Sequence, residues 1–225
     1  LPEMSYTTRD VPLTAQQIKY YELLRKQLIV QAAGEEITTA NAAANLNKLL
    51  QLSGGAVYSD TGEVVQFDAS NRLAVLREVI EESSHKVLVF VPFKHALDGI
   101  SKALTAEGIE HAVVSGDTPA NERANVFHLF QNTSKYRVIA AHPQCLAHGI
   151  TLTAADSIIW FAPVTSLEIY DQANHRIRRV GQKHKQLVLH LQATPVERKI
   201  YTMLKRKQRV QDKLLELFEE ASKED

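Results

Sequence analysis

The chain has 225 residues, 44% of them apolar, with 26 Lys+Arg against 26 Asp+Glu and a formal net charge of zero. That length buries a full core without staples, and the single cysteine, Cys145, excludes an internal disulfide and a cysteine-based metal site. No apolar run approaches the roughly 18–20 residues of a membrane span, and LPEMSYTTRD has neither the basic start nor the apolar stretch of a signal peptide.

The zero net charge hides an asymmetry. From Ala173 to Arg209 there are eleven Lys/Arg and one acid, Glu197, whereas Val210–Asp225 carries six acids and two lysines. The basic stretch admits two readings, a surface that meets phosphates or a solvated helix face. The chain also begins without Met, which points to a piece of a longer protein.

Residues Thr14–Gln31 carry Ile18, Tyr21, Leu24 and Leu28 at helical spacing, with Thr14 as N-cap. A second helix is expected after Gly34, capped near Thr38 or Thr39 and running through Leu46, Leu49 and Leu50. AVYSDTGEVVQF then reads as a hairpin about an Asp60-Thr61-Gly62 turn. From there helices and strands alternate. Asn71–Glu82 is an amphipathic helix, and Lys86–Val91 an apolar strand covered on both faces. Ala96–Glu107 is a helix, His111–Val114 a strand, and Pro119–Gln131 a helix with Pro in its first turn. Strands follow at Arg137–Ala141, Ser157–Phe161 and Leu187–Gln192, with a helix over Ser166–Arg179 between the last two. Pro195–Asp225 reads as one long helix capped by Thr194. The alternation predicts an α/β chain with a mostly parallel, doubly wound sheet. Residues 1–69 form an N-terminal entry segment of helices and the hairpin, 70–194 the sheet domain and 195–225 a C-terminal helix.

Open parallel sheets bind ligands beyond the carboxyl ends of their strands. The segments there are PFKHALDG, SGDTPANER, HPQCLAHGITLTAAD and APVTSLEIYDQANHRIRRVGQ, all polar and the last rich in guanidinium groups. If QANHRIRRVGQ is helical, Arg176 and Arg179 lie three apart on one face and Arg178 points elsewhere. Two planar guanidinium forks match phosphate oxygens in a way that lysine cannot. The same arginines could equally pair with acids on the domain surface. His175, His184 and His190 show no metal-ligand spacing, so no metal site is expected. Trp160 and Phe161 read as core, and Tyr20, Tyr21 and Phe67 as packing residues.

QANHRIRRVGQ resembles motif VI of SNF2-type ATPases of helicase superfamily 2, Q-A-x-x-R-x-x-R-[IV]-G-Q, at every fixed position. KVLVFVPFKHALDGI resembles their motif IV. HAVVSGDTPANERANVFHLFQ resembles the strand, turn and helix that follow, and HGITLTAADSIIWF resembles motif V. The motifs stand in the family's order over about residues 86–182, and LPEMSYTTRDVPLTAQQIKYYELLRKQ resembles the family's passage into its second lobe.

The resemblance implies a second, RecA-like motor lobe. Arg176 and Arg179 would be arginine fingers reaching the γ-phosphate of ATP, with Gly149 and Gln172 near the nucleotide and Asp156 holding the lobe interface. Lys94, Ser115, Gly116 and Thr118 would meet the backbone of double-stranded DNA, and His148 would bind a phosphate or order its loop. ATP and Mg²⁺ would be held by an N-terminal RecA-like lobe of the same polypeptide, because G-x-x-x-x-G-K-[ST] and an acidic D-E-x-H pair are absent here. This fragment alone is expected neither to bind ATP tightly nor to hydrolyse it. The stretch AHPQCLAH departs from the family's S-T-x-A-G-G and resembles an HP…GHG form of phage and bacterial relatives, which implies a cytoplasmic setting. Two other readings stay open. One is a DNA- or protein-docking module without ATPase work. The other is an unrelated enzyme for a small phosphorylated ligand, which would need a Gly-rich loop where VPFKHALDG offers only Gly99.

Overall fold

The structure is a computed structural model that describes residues 1–33, 38–59, 61–146 and 149–223. Asp60 of the expected turn and His148 lie outside the described residues.

Six strands make one sheet: β1 (Met4–Asp10), β4 (Lys86–Phe90), β5 (His111–Val114), β6 (Val138–Ala141), β7 (Ala155–Trp160) and β8 (Gln186–Gln192). Their order is β1-β8-β7-β4-β6-β5, and every pairing is parallel. Val87–Phe90 and Val138–Ala141 are wholly buried, as unbroken apolar runs require when helices cover both faces of a sheet. Those helices are α3 (Ser70–Glu82), α4 (Lys94–Ala106), α5 (Ala120–Asn132), α6 (Leu167–Asn174) and α7 (Pro195–Lys205). The architecture is the α/β, RecA-like one expected.

Three expectations need correction. The N-terminal extension is not separate from the sheet. Before α1 (Ala15–Ala33) and α2 (Thr39–Gly54), residues Met4–Asp10 join the sheet as its edge strand, in register from Met4↔Gln186 to Asp10↔Gln192. MSYTTRD has no apolar alternation because most of it faces solvent, so backbone hydrogen bonds to β8 fix it rather than burial.

The C-terminal segment is not one helix. α7 stops at Lys205, a 3-10 turn covers Val210–Lys213, and α8 (Leu214–Ser222) follows. Lys207 has φ 58°, and the N–H groups of Lys207 and Gln208 return to Leu204 O and Met203 O at 3.0 and 2.9 Å. That is a left-handed helix stop usually built with glycine. Each half buries its own apolar face, and α8 packs on α2.

The third correction concerns α6, which ends at Asn174 and not at Arg179.

The hairpin forms as read, from β2 (Ala56–Tyr58) and β3 (Val64–Gln66). Thr38 caps α2 by accepting from Asn41 N. Beneath the sheet's carboxyl edge sits a buried ion pair. Arg72 of α3 donates to both oxygens of Glu197 at 2.7 and 2.9 Å, and also to Phe161 O, with both side chains at most 1% exposed. Glu197 Oε2 in turn accepts from the N–H groups of Ala193 and Thr194 at 2.8 and 3.0 Å, which closes the capping box of α7. Burial pushes the neighbouring His190 imidazole down to about 3, so it is neutral in its bond to Tyr170 Oη at 2.8 Å.

Candidate functional site

The arginine turn follows α6. Ser166 starts that helix by accepting from Ile169 N at 3.3 Å, and His175 caps its end. The chain then turns through Arg176–Gln182 before entering β8. Gln182 holds the turn. Its Nε2 donates to Ala155 O at 2.9 Å and Ile177 O at 3.1 Å, while its Oε1 accepts from Lys183 N and His184 N at 3.0 and 3.1 Å. One buried amide uses its whole hydrogen-bonding capacity to tie the turn to the first residue of β7. The motif pattern contained Gln182, but residue type and spacing gave no reason to single it out.

The two arginines are not equivalent. Arg176 is only 5% exposed. Its Nε donates to Gln172 O at 3.0 Å and its Nη1 to Ile150 O at 3.4 Å, and its own carbonyl accepts from Leu152 N at 3.0 Å. Burial and then the nearby Arg179 charge hold its pKa below the usual arginine value. Arg179 is exposed, as is Arg178. The Arg179 guanidinium has no hydrogen-bond or ion-pair partner among the described residues. The pair is therefore a buried brace and a free cation rather than two equal prongs on one helical face.

Arg176 joins the turn to the segment that contains Gly149. Gly149 is exposed with φ 59°, and a Cβ there would meet nothing within 4 Å, so glycine serves the backbone conformation rather than close packing. Gln172 spends its Nε2 on Glu168 Oε1 at 2.9 Å. Asp156 sits at the amino end of β7. Its Oδ2 meets His85 Nδ1 at 2.8 Å and its Oδ1 accepts from Ser157 Oγ at 2.8 Å. The His85 ring lies against that of His184, tilted by 31° with centroids 4.0 Å apart.

A second group lies at the carboxyl edge. Lys94 is the first residue of α4, two residues earlier than the helix read from sequence, and its ammonium pairs with Asp117. That ion pair bridges the loops after β4 and β5. Ser115 N donates to Thr118 Oγ1 at 3.0 Å, Thr118 N to Ser115 O at 3.1 Å, and Asp117 N to Ser115 Oγ at 3.3 Å. Gly116 is exposed at the tip. The sequence placed all these loops on one functional edge. The structure divides them, because α6 carries the chain back toward the amino end of β7 before the arginines occur.

Residues 71–181 match the family described as helicase conserved C-terminal domain. The chain aligns with putative protein p41 of Acyrthosiphon pisum secondary endosymbiont phage 1 at 26% identity, over 96% of this chain and 46% of that protein. It aligns with a Drosophila melanogaster SWI/SNF-related matrix-associated actin-dependent regulator of chromatin subfamily A-like protein 1 at 26% identity, over 95% of this chain and 27% of that one. Its fold matches the C-terminal part of the Fun30 ATPase domain with TM-score 0.76 and 17% identity, covering 98% of each chain. It also matches the Sulfolobus solfataricus SWI2/SNF2 ATPase core in complex with dsDNA, again with TM-score 0.76, at 22% identity and over 49% of that chain. The chain is an SNF2-family C-terminal lobe.

This SNF2-type lobe spans half or less of the length of those curated relatives. Within it, the family match covers α3 through the arginine turn. No helix among the described residues is long and apolar enough to cross a membrane.

Proposed function

We propose that this lobe completes the catalytic site of an ATP-dependent DNA translocase, presenting Arg179 to the phosphate tail of an ATP bound with Mg²⁺ on an N-terminal lobe. The observation that carries this reading is the state of Arg179, a cation without a protein partner on a turn that Gln182 and Arg176 hold rigid. A free guanidinium on a fixed backbone fits an anionic oxygen cluster. ATP supplies the phosphoanhydride whose cleavage drives the motor. Arg179 stabilises negative charge on the transferring phosphoryl group. Arg176 is the brace behind it and carries the position of the Gly149–Leu152 segment into the turn. Gln172 fixes the last turn of α6 through Glu168.

At the other edge, the Ser115–Thr118 turn and Lys94 contact the phosphate backbone of double-stranded DNA. Backbone N–H groups and a lysine position a duplex without reading its sequence. Asp156 holds the end of β7 through His85 and Ser157 and so keeps the lobe face in shape.

The test is DNA-stimulated ATP hydrolysis by the two-lobe protein. Arg179→Ala should lower turnover by roughly 10³-fold or more, with DNA affinity unchanged. Near-normal turnover would remove the finger assignment.

A further inference from the structure

We propose that His85 and His184 are positioning residues for the arginine turn. Through a row of side chains that starts at Asp156 they brace the turn that carries Arg179, and they loosen it when both rings are charged. The inference rests on the reading of Arg179 given above.

Two links run from the start of β7 to this turn. The first is the Gln182 amide, whose Nε2 donates to Ala155 O at 2.9 Å and whose Oε1 accepts from His184 N at 3.1 Å. The second leaves from the next residue of the strand. Asp156 Oδ2 meets His85 Nδ1 at 2.8 Å, and the His85 ring lies against that of His184 with centroids 4.0 Å apart. A carboxylate only accepts, so Nδ1 of His85 carries the proton of that bond. The row therefore ends on the residue whose backbone N–H Gln182 already holds. Movement of the His184 ring bears on that N–H, and so on the amide that ties the turn to β7.

The two links differ in kind. An amide keeps its charge state at every ordinary pH, whereas imidazoles change theirs near neutrality. The rings line a cavity of about 470 Å³ at the amino end of the sheet. Facing them there are Arg9 from β1, Glu82 from α3, Asp156 from β7 and Lys185 beside His184. Glu82 is engaged by Arg9, and Asp156 by His85. Asp156 can balance a charge on His85. No carboxylate lining the cavity is left over for a charge on His184, and Lys185 adds a like one. Two charged rings in contact repel. Contact lies far inside the Debye length of about 10 Å at 0.1 M salt, so salt does not silence the repulsion. Neutral, the rings brace the turn. Doubly charged, they push His184 away from His85 and weaken the grip of Gln182.

The first measurement uses this chain alone. Exchange of the Gln182 Nε2 protons with water is followed by NMR and expressed as protection relative to a free glutamine amide at the same pH. Protection should fall about three- to tenfold from about pH 8 to about pH 5.5. His184→Phe keeps a ring against His85 and the N–H for Gln182 but cannot become charged, so protection should hold across the range. His85→Ala removes the brace and should lower protection at about pH 8 as well. The second measurement is DNA-stimulated ATP hydrolysis by the two-lobe protein. The kcat of the wild type relative to His184→Phe should fall about threefold or more over the same range, with the DNA concentration for half-stimulation alike in both. Histidines that merely fill space would leave that ratio flat. Protection that ignores pH, an acid loss that survives in His184→Phe, full protection in His85→Ala, or a flat kcat ratio beside an impaired Arg179→Ala each overturns the inference and leaves the finger reading standing. Near-normal turnover of Arg179→Ala overturns the finger reading itself, whatever the exchange shows.

Discussion

The arginine turn and the SGDT turn are both short polar loops, yet they spend their side chains in opposite ways. In the arginine turn a buried amide, Gln182, and a buried guanidinium, Arg176, do the holding, and two exposed cations, Arg178 and Arg179, are left over. In the SGDT turn the Thr118 hydroxyl accepts from Ser115 N, the Ser115 hydroxyl accepts from Asp117 N, and Lys94 pairs with Asp117. What remains there is the N–H of Gly116 and a neighbouring cavity that no Asp or Glu lines. The first region offers a fixed full charge, which suits phosphoryl transfer. The second offers dipoles and a paired lysine, which suit a surface that must grip and release.

Perturbing the scaffold beneath both regions should have the largest effect on stability. Glu197→Ala strands the buried Arg72 guanidinium and opens the cap of α7. Urea unfolding of the chain should register a loss of about 3–5 kcal/mol. A loss below 1 kcal/mol would mean that Arg72 finds water.

Gln182→Glu attacks the arginine turn alone. It keeps the acceptor for Lys183 and His184 and removes the donor to Ala155 O and Ile177 O. The expected cost is about 1–3 kcal/mol. In the two-lobe protein kcat should fall on the order of 10- to 100-fold through misplacement of Arg179, with the DNA concentration for half-stimulation unchanged. An unaltered kcat would show that the turn keeps its place without the amide.

Lys94→Ala addresses the other region. DNA affinity should drop, and the slope of log affinity against log salt should shrink by about 1. An unchanged slope would mean that Asp117 already neutralises this lysine. Lys207→Gly tests neither region and so serves as the control. Glycine relieves the left-handed backbone by roughly 1 kcal/mol, while the exposed ion pair to Asp171 that it removes contributes less. The melting temperature should rise slightly with ATPase activity intact.

Much of the site's composition was legible from residue order. The spacing of QANHRIRRVGQ named the arginines, but it could not say that one would be buried. The helix was expected to run to Arg179 because nothing local stops it. It ends at Asn174, and the turn that follows is held by bonds that reach 26 to 27 residues away in the chain.

The sequence by itself determined the alternation of helix and strand and the parallel core. Runs such as KVLVFV bury both faces wherever they lie, so their burial is written in their composition. Only the tertiary structure decided that MSYTTRD becomes an edge strand, that the C-terminal segment breaks at Lys207, and that the polar loops divide into two regions. Apolar periodicity reports which face leaves water. It carries no record of which distant carbonyl a buried amide will meet.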